Sequence, residues 1–418
     1  MMVRQAHIQK GWEYKKLGDA MHIARGGSPR PIKQYLTDDP NGLNWIKIGD
    51  ATESNKYIYK TKEKITKDGL HKTRFVEEGD FLLSNSMSFG RPYIMKTTGC
   101  IHDGWLVLKE IEDIDLDKDF LYHLLCSPYL FEQFDKLAAG STVRNLNIAL
   151  VSSVEIPIPP LDEQKRIVAK LDECFDAIDK ARANVEKNLN NAKELFQSQL
   201  NQIFSQPALS EAEGKGNGWA DKRIEEMTEN VSKGSSPKWQ GINYVENDGI
   251  LFITSENVGE AELLLHKKKY VEKKFNDKEK KSILKKGDVL TNIVGASIGR
   301  TAIYDIDDIA NINQAVCVIR CNENVLNNYY LMYLLNSPFF KTILHENEVN
   351  NARANLSLTF FRNLIIPIPN TTEQQSIVEF IIDLKSQTQA LESNYQQELA
   401  ALDELKKSIL QKAFMGEL

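Results

Sequence analysis

The 418-residue chain repeats itself once, and this internal repeat restricts its architecture more than any other feature of the sequence. Gly-Gly-Ser-Pro at 26–29 is matched by Gly-Ser-Ser-Pro at 234–237, and Ile-Pro-Ile-Pro at 156–159 recurs unchanged at 366–369. Other pairs follow in the same order: Gly79-Asp80 with Gly287-Asp288, Gly90-Arg91 with Gly299-Arg300, and Glu163-Gln164 with Glu373-Gln374. Because an ordered repeat dictates a repeated architecture, the sequence predicts two copies of one structural unit.

Within each copy, the same kinds of segment follow one another. A mixed region with short apolar runs, broken by Gly, Pro, Asn and Asp, predicts strands and loops. A helical segment follows at 120–137 in the first copy and at 329–346 in the second, each interrupted near a Ser-Pro pair. The Ile-Pro-Ile-Pro segment is predicted to be extended, because proline biases the residue before it towards the β region.

Each copy ends in a segment without proline or glycine, 161–204 in the first and 371–414 in the second. An uninterrupted helix of this length is typical of a coiled coil, and Thr371 with Gln374 fits a capping box at the start of the second. Apolar residues follow heptad spacing. The predicted seam residues are Leu171, Cys174, Ile178, Ala181, Val185, Leu189, Ala192, Phe196 and Ile203, then Ile381, Leu384, Thr388, Leu391, Tyr395, Leu402, Leu405 and Ile409.

Neither long helix can bury its apolar stripe alone, so an antiparallel pair within the chain is expected; the alternative is that each helix packs only on its own domain. The predicted fold class is α+β, with two mixed α/β domains joined by two long antiparallel coiled-coil helices in a pseudo-two-fold repeat. The predicted boundaries are 1–155 for the first domain, 156–206 for the first long helix, 207–365 for the second domain and 366–418 for the second long helix.

The net charge of −6 argues at first against a nucleic-acid partner, but the charges are segregated along the chain. Residues 267–286 contain ten lysines and three acids, and residues 56–74 contain seven basic residues and two acids. A lysine run is usually a solvated surface. Two runs at matching places in a repeat favour a surface for an anionic partner.

Five scattered cysteines without a Cys-x-x-Cys pair predict reduced thiols rather than zinc or disulfides: Cys100, Cys126, Cys174, Cys317 and Cys321. The N-terminal stretch has no apolar signal region, and no apolar run is long enough to span a membrane. A cytoplasmic location is therefore expected.

Three common catalytic motifs are absent from the sequence, and no compact Asp…Glu-x-Lys cluster of a nuclease lies at a strand-like position. It has no Asp/Asn-Pro-Pro-aromatic loop that would hold a flipped base, no phosphate-binding Gly-x-x-x-x-Gly-Lys-Ser/Thr and no His-Glu-x-x-His. This pattern favours a binding protein over an enzyme.

The repeated segments resemble a known family. Residues 156–172 (IPIPPLDEQKRIVAKLD) resemble the central conserved region of type I restriction-modification specificity subunits, and residues 366–378 (IPIPNTTEQQSIV) resemble the distal one. The Gly-Ser-Pro loops and the Gly-Asp and Gly-Arg pairs match the target-recognition domains of that family. The second copy departs from the pattern at 370–372, where Asn-Thr-Thr replaces the Pro-Leu-Asp of 160–162.

The resemblance implies that each target-recognition domain reads one half of a split sequence in double-stranded DNA. It implies that the helices set the spacer between the halves and dock two methyltransferase subunits. S-adenosylmethionine would then belong to the methyltransferase, and ATP and Mg²⁺ to a separate motor subunit if one is present. The chain itself would be non-catalytic, with no cofactor and no bound metal.

Arginine and lysine on loops are the side chains expected to contact phosphates and base edges. The candidate DNA-binding residues are Arg30, Lys47, Lys72, Arg74, Arg91, Lys238, Lys267, Lys268, Lys269 and Arg300. The candidate partner-binding residues are Glu163, Gln164, Ile167, Glu373, Gln374 and Ile377. The repeated Gly-Arg pairs have a structural alternative, a tight turn whose arginine pairs with a carboxylate.

Two other functions remain open from the residues alone. One is a tandem-domain coiled-coil adaptor that binds protein and not DNA, and the other is a fused bacterial regulator. DNA binding at low salt, with a methyltransferase partner present, discriminates between the reader and the adaptor.

Replacing Lys267, Lys268 and Lys269 with Ala is expected to weaken DNA binding and to reduce its salt dependence, because fewer counterions are released. The slope of log K against log salt should fall by about 0.9 for each phosphate that the variant no longer neutralises. Titrations of duplex DNA over a range of salt concentrations measure this slope, and an unchanged value would argue that these lysines do not bind phosphate.

Overall fold

The computed structural model describes residues 11–51, 56–85, 90–138, 145–212, 218–246, 248–347 and 355–418. The first ten residues, which enter the expectation about a signal segment, lie outside the described residues. The chain forms two compact units: unit 1 consists of Met1–Val185 with Gln397–Leu418, and unit 2 of Glu186–Gln396. Each long helix therefore begins in one unit and ends in the other.

Unit 1 contains two five-stranded sheets and a two-stranded ribbon. Its strands are β1 Glu13–Lys16, β2 Met21–Arg25, β3 Leu36–Thr37, β4 Leu43–Ile46, β5 Tyr57–Ile58, β6 Glu63–Ile65, β7 Arg74–Val76, β8 Phe81–Ser84, β9 Pro92–Met95, β10 Gly99–Ile101, β11 Trp105–Glu110 and β12 Glu155–Ile158. The sheet orders are β3-β6-β4-β10-β7 and β2-β11-β8-β9-β5, and β1 pairs with β12. Its shorter helices are α1 Leu17–Ala20, α2 Ile48–Ala51, α3 Lys118–Cys126, α4 Pro128–Ala138 and α5 Ile148–Ser153.

The long helix α6 Leu161–Ala212 leads into unit 2, which has two four-stranded sheets and a matching ribbon. Its strands are β13 Ala220–Arg223, β14 Thr228–Lys233, β15 Tyr244–Val245, β16 Ile250–Ile253, β17 Tyr270–Val271, β18 Asp288–Asn292, β19 Thr301–Tyr304, β20 Ala310–Ile312, β21 Val316–Cys321 and β22 Ile365–Ile368. The orders are β14-β21-β18-β19 and β15-β17-β16-β20, and β13 pairs with β22. The helices are α7 Phe275–Lys278, α8 Asn328–Asn336, α9 Pro338–Glu346, α10 Leu358–Asn363 and α11 Thr371–Phe414.

The predicted α+β class and its repeat are confirmed in detail. Each Ile-Pro-Ile-Pro segment is a strand, β12 or β22, paired antiparallel with the strand that opens its own copy. The helix interruptions fall at Ser127 and Ser337, both fully buried. Each hydroxyl donates to the helix that ends, at Leu124 O (2.6 Å) and Leu334 O (2.7 Å), and accepts from an amide of the helix that begins.

The long helices run antiparallel where they meet in unit 1. The carboxylate of Asp179 lies 3.4 Å from the ammonium of Lys406, and Arg182 pairs with Asp403, so residue numbers rise on one helix as they fall on the other. Most predicted seam residues are buried or half-buried, but Leu391 and Leu405 are exposed. Next to Leu405, the side chain of Lys406 is half-buried instead, with its ammonium 4.6 Å from the Phe175 ring. No helix in the described residues is both long and apolar enough to cross a membrane.

The last phenylalanine of each long helix is a core residue. Phe414 of α11 is buried in unit 1, with its ring 5.3 Å from Phe120 of α3. Phe204 of α6 is buried in unit 2, with its ring 5.5 Å from Tyr330 of α8. Each unit therefore completes its core with the end of a helix that begins in the other unit.

The repeated glutamine fixes the start of each long helix. Gln164 accepts a hydrogen bond from the Asp117 amide (2.8 Å) and donates to Asp115 O and Pro159 O (both 2.9 Å). Gln374 makes the equivalent three bonds, with the Asn327 amide, Val325 O and Pro369 O. Both side chains are fully buried.

The predicted capping box at Thr371 is therefore wrong. The side chain of Gln374 turns inward to the preceding segment, and Asn370 caps the helix by accepting from the Glu373 amide (3.0 Å).

The variant Gln164→Met keeps the side-chain volume but leaves three buried backbone groups without partners. Because an unsatisfied buried group costs about 1–3 kcal/mol, the free energy of unfolding should fall by at least that amount. Thermal or denaturant unfolding measures the loss, and Lys165→Met, at the adjacent exposed position, is the control. Equal shifts in the two variants would contradict the role given to the glutamine.

Candidate nucleic-acid interface

The first Gly-Ser-Pro loop lies on the end of a parallel strand pair. In unit 1, β4 and β10 are parallel and end together at Ile46 and Ile101. The Gly26 amide donates to Trp105 O (3.0 Å), and a Cβ on Gly26 would lie only 2.1 Å from His102 O. Glycine is required here because the loop backbone touches the backbone of the strand end.

Unit 2 repeats this arrangement. Strands β16 and β20 are parallel and end at Ile253 and Ile312, and a Cβ on Gly234 would lie 1.7 Å from Ile312 O. In each unit, we use the term parallel-strand edge for the carboxyl ends of these two parallel strands together with the loops that follow them. The Gly-Ser-Pro motif is thus a packing device that places equivalent loops at equivalent edges.

Three predicted DNA-binding residues of unit 1 surround the end of β10. Arg74 pairs in register with Ile101, whose carbonyl also accepts from the Gly27 amide (3.2 Å). Lys72 and Arg30 flank the same loop and are exposed. The ammonium of Lys72 donates to the hydroxyl of Tyr35 (2.6 Å), whereas Arg74 makes no ion pair with any described residue.

Two of the predicted cations near this edge, Lys47 and Arg30, have carboxylate neighbours. Lys47 follows β4 and donates to Glu63. Arg30, whose side chain is 83% exposed, lies 3.6 Å from Asp103. The hydroxyl of Ser28 donates to Asp103 (2.7 Å), and this bond lowers the pKa of the Asp103 carboxyl. Asp103 is therefore ionised at neutral pH, and the guanidinium of Arg30 lies beside this carboxylate with most of its side chain exposed to solvent.

The lysine run of unit 2 is only partly neutralised. The ammonium of Lys269 lies 2.9 Å from Glu256, and this bond lowers the pKa of the Glu256 carboxyl. Lys267 and Lys268 are exposed and make no ion pair with a described residue. Three other lysines of the run also have acidic partners: Lys273 with Asp248, Lys274 with Glu272, and Lys286 with Asp307.

The repeated Gly-Arg pairs lie at the turns of two equivalent hairpins, β8–β9 and β18–β19. Gly90 and Gly299 have φ of 80° and 84°, which favours glycine. Arg91 and Arg300 are exposed, and neither pairs with a carboxylate in the parts of the chain that the structure describes. The glycine is structural, as the alternative interpretation held, but the arginine is not held by an ion pair. Arg91 lines a groove with Tyr122, Phe131, Lys406 and Lys407.

The Gly-Asp pairs belong to the scaffold. Asp80 accepts from the Glu77 amide (2.8 Å) and lies 3.1 Å from Lys109. Its counterpart Asp288 is buried and receives two hydrogen bonds from Arg320, of 2.8 and 2.7 Å. Each copy thus contains an equivalent aspartate paired with a basic residue, Lys109 in the first and Arg320 in the second.

The thiols are free in the structure, and burial raises the pKa of Cys100 to about 11 and that of Cys317 and Cys321 to about 12. These groups are protonated at neutral pH. Over the described ranges, no group of three or more His, Cys, Asp or Glu side chains is placed to hold a metal ion.

The candidate partner-binding residues separate into two kinds. Gln164 and Gln374 are fully buried and Ile167 is 1% exposed, so their side chains cannot touch a partner in this conformation. Burial therefore assigns these three residues to the scaffold, in place of the direct contact that the sequence predicted. The others are half-buried: Glu163 binds Arg166 (2.7 Å), Glu373 accepts from the Trp219 indole (2.8 Å), and Ile377 packs against the core of unit 2.

Trp239 is not among the site residues predicted from the sequence. This side chain is 77% exposed and follows Lys238 in the 3₁₀ turn Pro237–Gln240, directly after the second Gly-Ser-Pro loop. Its counterpart in the first copy is a proline. The only sequence signal was a tryptophan beside a lysine at a place where the two copies differ.

Comparison with known proteins shows the same two-fold organisation. Residues 9–188 and 216–401 each match the family model described as "Type I restriction modification DNA specificity domain". The two matched segments together cover most of the chain.

Individual relatives agree with this match. The chain is 27% identical over 326 residues to the type I restriction enzyme EcoBI specificity subunit of Escherichia coli, covering 74% of this chain and 67% of that one. It is 23% identical over 419 residues to the MjaVIII specificity subunit of Methanocaldococcus jannaschii, covering 98% and 94%.

Two solved structures share the fold. A chain from a study of complex assembly and conformational transition of the type I R-M system has a TM-score of 0.70 at 21% identity, with 98% of this chain and 99% of that chain covered. The HsdS subunit from Thermoanaerobacter tengcongensis has a TM-score of 0.59 at 22% identity, with 98% of each covered.

Removing the carboxylate of Glu256 should free Lys269 for an anionic ligand. We expect Glu256→Ala to tighten binding of duplex DNA and to steepen its salt dependence by up to about 0.9 in log–log slope. Glu225→Ala removes the same charge beside Arg223 in a different sheet and is the control for net charge. If both variants shift the slope equally, Lys269 does not bind phosphate.

Proposed function

The chain belongs to the family of type I restriction-modification DNA specificity proteins, and from this premise we propose that each unit reads one half of a bipartite DNA target through its parallel-strand edge. In this family the chain is a DNA sequence-specificity subunit, and the catalytic activities reside in partner subunits. The chain is accordingly non-catalytic, and its task is to position other proteins on a sequence.

One observation carries the proposal for the edges. The two units build the same loop on the same strand end, with Gly26 and Gly234 in equivalent contacts, yet the side chains around the loops differ. Unit 1 presents Arg30, Lys72 and Arg74, and unit 2 presents Lys238 and the lysines of 267–269. A shared scaffold with different exposed side chains is what two readers of different half-sites need.

The long helices are proposed to set the distance between the half-sites. A helix rises about 1.5 Å per residue, and its length is fixed by backbone hydrogen bonds, so a helix pair is a stiff spacer. The antiparallel contacts Asp179–Lys406 and Arg182–Asp403 support a fixed register between α6 and α11.

The proposed protein partners are two methyltransferase subunits. Phe380 and Ile382 on α11 are 52% and 48% exposed, and uncovered apolar side chains on a charged helix support a protein contact. The repeat supports two docking sites, one on the start of each long helix. S-adenosylmethionine would be bound by the methyltransferase, ATP and Mg²⁺ by a motor subunit, and the complex would act in the cytoplasm.

The adaptor alternative is not favoured, because the family model that matches both copies is a DNA specificity domain. The decisive experiment assembles the chain with its methyltransferase partner and measures binding of duplex DNA at low salt. Single-molecule sequencing of host DNA then maps the methylated motif. Absence of DNA binding by the assembled complex would overturn the proposal.

Shortening both helices should shorten the spacer. Deleting one heptad from each, at 183–189 and 396–402, removes about 10 Å of helix, or about three base pairs of DNA. The motif methylated by the deleted complex should keep both half-sites and lose about three base pairs between them. A heptad deleted from one helix alone breaks the register and is the control, and an unchanged spacer in the double deletion would contradict the ruler.

A further inference from the structure

Trp239 differs from every other tryptophan of the chain in its exposure. Trp12, Trp45 and Trp105 are buried, and Trp219 is half-buried with its indole bonded to Glu373. Trp239 is 77% exposed, the largest value among the exposed large hydrophobic side chains of the described residues. Exposing an indole forgoes the hydrophobic stabilisation that its burial would give, and tryptophan is enriched among residues that dominate binding.

The turn that carries Trp239 is rigid. Pro237 is buried, and the side chain of Gln240 donates to Ser235 (3.1 Å) and Glu279 (2.7 Å). The ammonium of Lys278 donates to the carbonyl of Gln240 (2.6 Å). Gly241, with φ of 66°, closes the turn by donating to the carbonyl of Lys238 (3.2 Å).

Only Lys238 and Trp239 of this turn project outward, since both are exposed while the residues on either side are tied to the unit. Because hydrogen bonds hold the backbone of this turn in place, little backbone entropy is lost when a ligand binds, and the turn is preorganised.

The segment of unit 1 that aligns with Lys238 and Trp239 presents different chemistry. After the first Gly-Ser-Pro loop, Arg30 and Pro31 are exposed, and the 3₁₀ turn Ile32–Gln34 follows them with Lys33 exposed. The position that corresponds to Trp239 is Pro31. One scaffold thus offers a guanidinium in unit 1 and an indole in unit 2.

We propose that Trp239 is a specificity-determining residue that makes apolar contact with a base edge in a groove of the half-site read by unit 2. The inference rests on the proposed function. Lys238, next to it, is exposed and supplies a cation for a phosphate. The indole face fits the 5-methyl group of thymine, and the indole N–H can donate to a base acceptor.

The first test follows the fluorescence of the assembled complex with its methyltransferase partner. Iodide should quench Trp239 in the free complex and lose access to it when duplex carrying the mapped motif is added. The difference between the wild type and Trp239→Phe isolates this residue from all other tryptophans. Quenching that is unchanged by DNA would overturn the inference.

The second test compares Trp239→Ala with Ile309→Ala. Ile309 is another exposed apolar side chain, 66% exposed, and it precedes β20 at the end of that strand away from the parallel-strand edge. Trp239→Ala should lower affinity for the mapped target about ten-fold and leave affinity for a duplex with a scrambled second half-site unchanged. Its methylated motif should become degenerate in one half-site only. Ile309→Ala should change neither property, and Trp239→Phe should retain part of the affinity.

The outcomes separate the inference from the proposed function. If Trp239→Ala keeps the wild-type motif and affinity, the inference fails while DNA reading stands. If it weakens specific and scrambled duplexes equally, the side chain carries no base preference and the inference also fails. If Trp239→Ala loses the methyltransferase subunit and not the DNA, Trp239 contacts protein and the inference fails. If the wild-type complex does not bind DNA, the proposed function fails with it.

Discussion

The two cores depend on the exchange of helix ends between the units. Phe204 and Phe414 are each buried in the core of the unit that their own helix does not start in, against Tyr330 and Phe120. Truncating a buried phenylalanine costs about 3–5 kcal/mol, so each unit gains a substantial part of its stability from the far end of a helix. Unit 1 is built from two separate stretches of chain and unit 2 from one, and each unit includes the end of a helix that begins in the other. The fold of each unit therefore depends on the integrity of both helices.

Around that exchange, the repeated residues form a scaffold. Gln164 and Gln374 lock the helix starts by three equivalent hydrogen bonds each, and Asp80 and Asp288 close equivalent turns with a basic partner. Gly26 and its counterpart are repeated because a backbone contact leaves no room for a Cβ. The differences between the copies lie on exposed loops set on this scaffold, which allows one architecture to present two different surfaces.

Several features could be predicted because they depend on local sequence. The two copies, the helix interruptions at Ser127 and Ser337 and the extended Ile-Pro-Ile-Pro strands follow from residue order and from proline and serine chemistry. The predicted seam was wrong at Leu391 and Leu405, which are exposed. Heptad spacing alone does not show which residue of a helix faces the other helix, and next to Leu405 it is Lys406 that lies against the Phe175 ring. The capping box failed because Gln374 had stronger partners in a segment far away in sequence.

The sequence by itself determined the repeat, the family and the residue types available for binding anions. Only the tertiary structure decided which of these side chains are available. Gln164 and Ile167 are repeated in the second copy, and yet both are buried. Lys269 is partly neutralised by Glu256. Trp239, which has no counterpart tryptophan in the first copy, is exposed to solvent. The physical reason is that burial and ion pairing arise between residues distant in the chain. A sequence shows which charged and aromatic side chains are present, but the fold decides whether other residues bury them or pair with them.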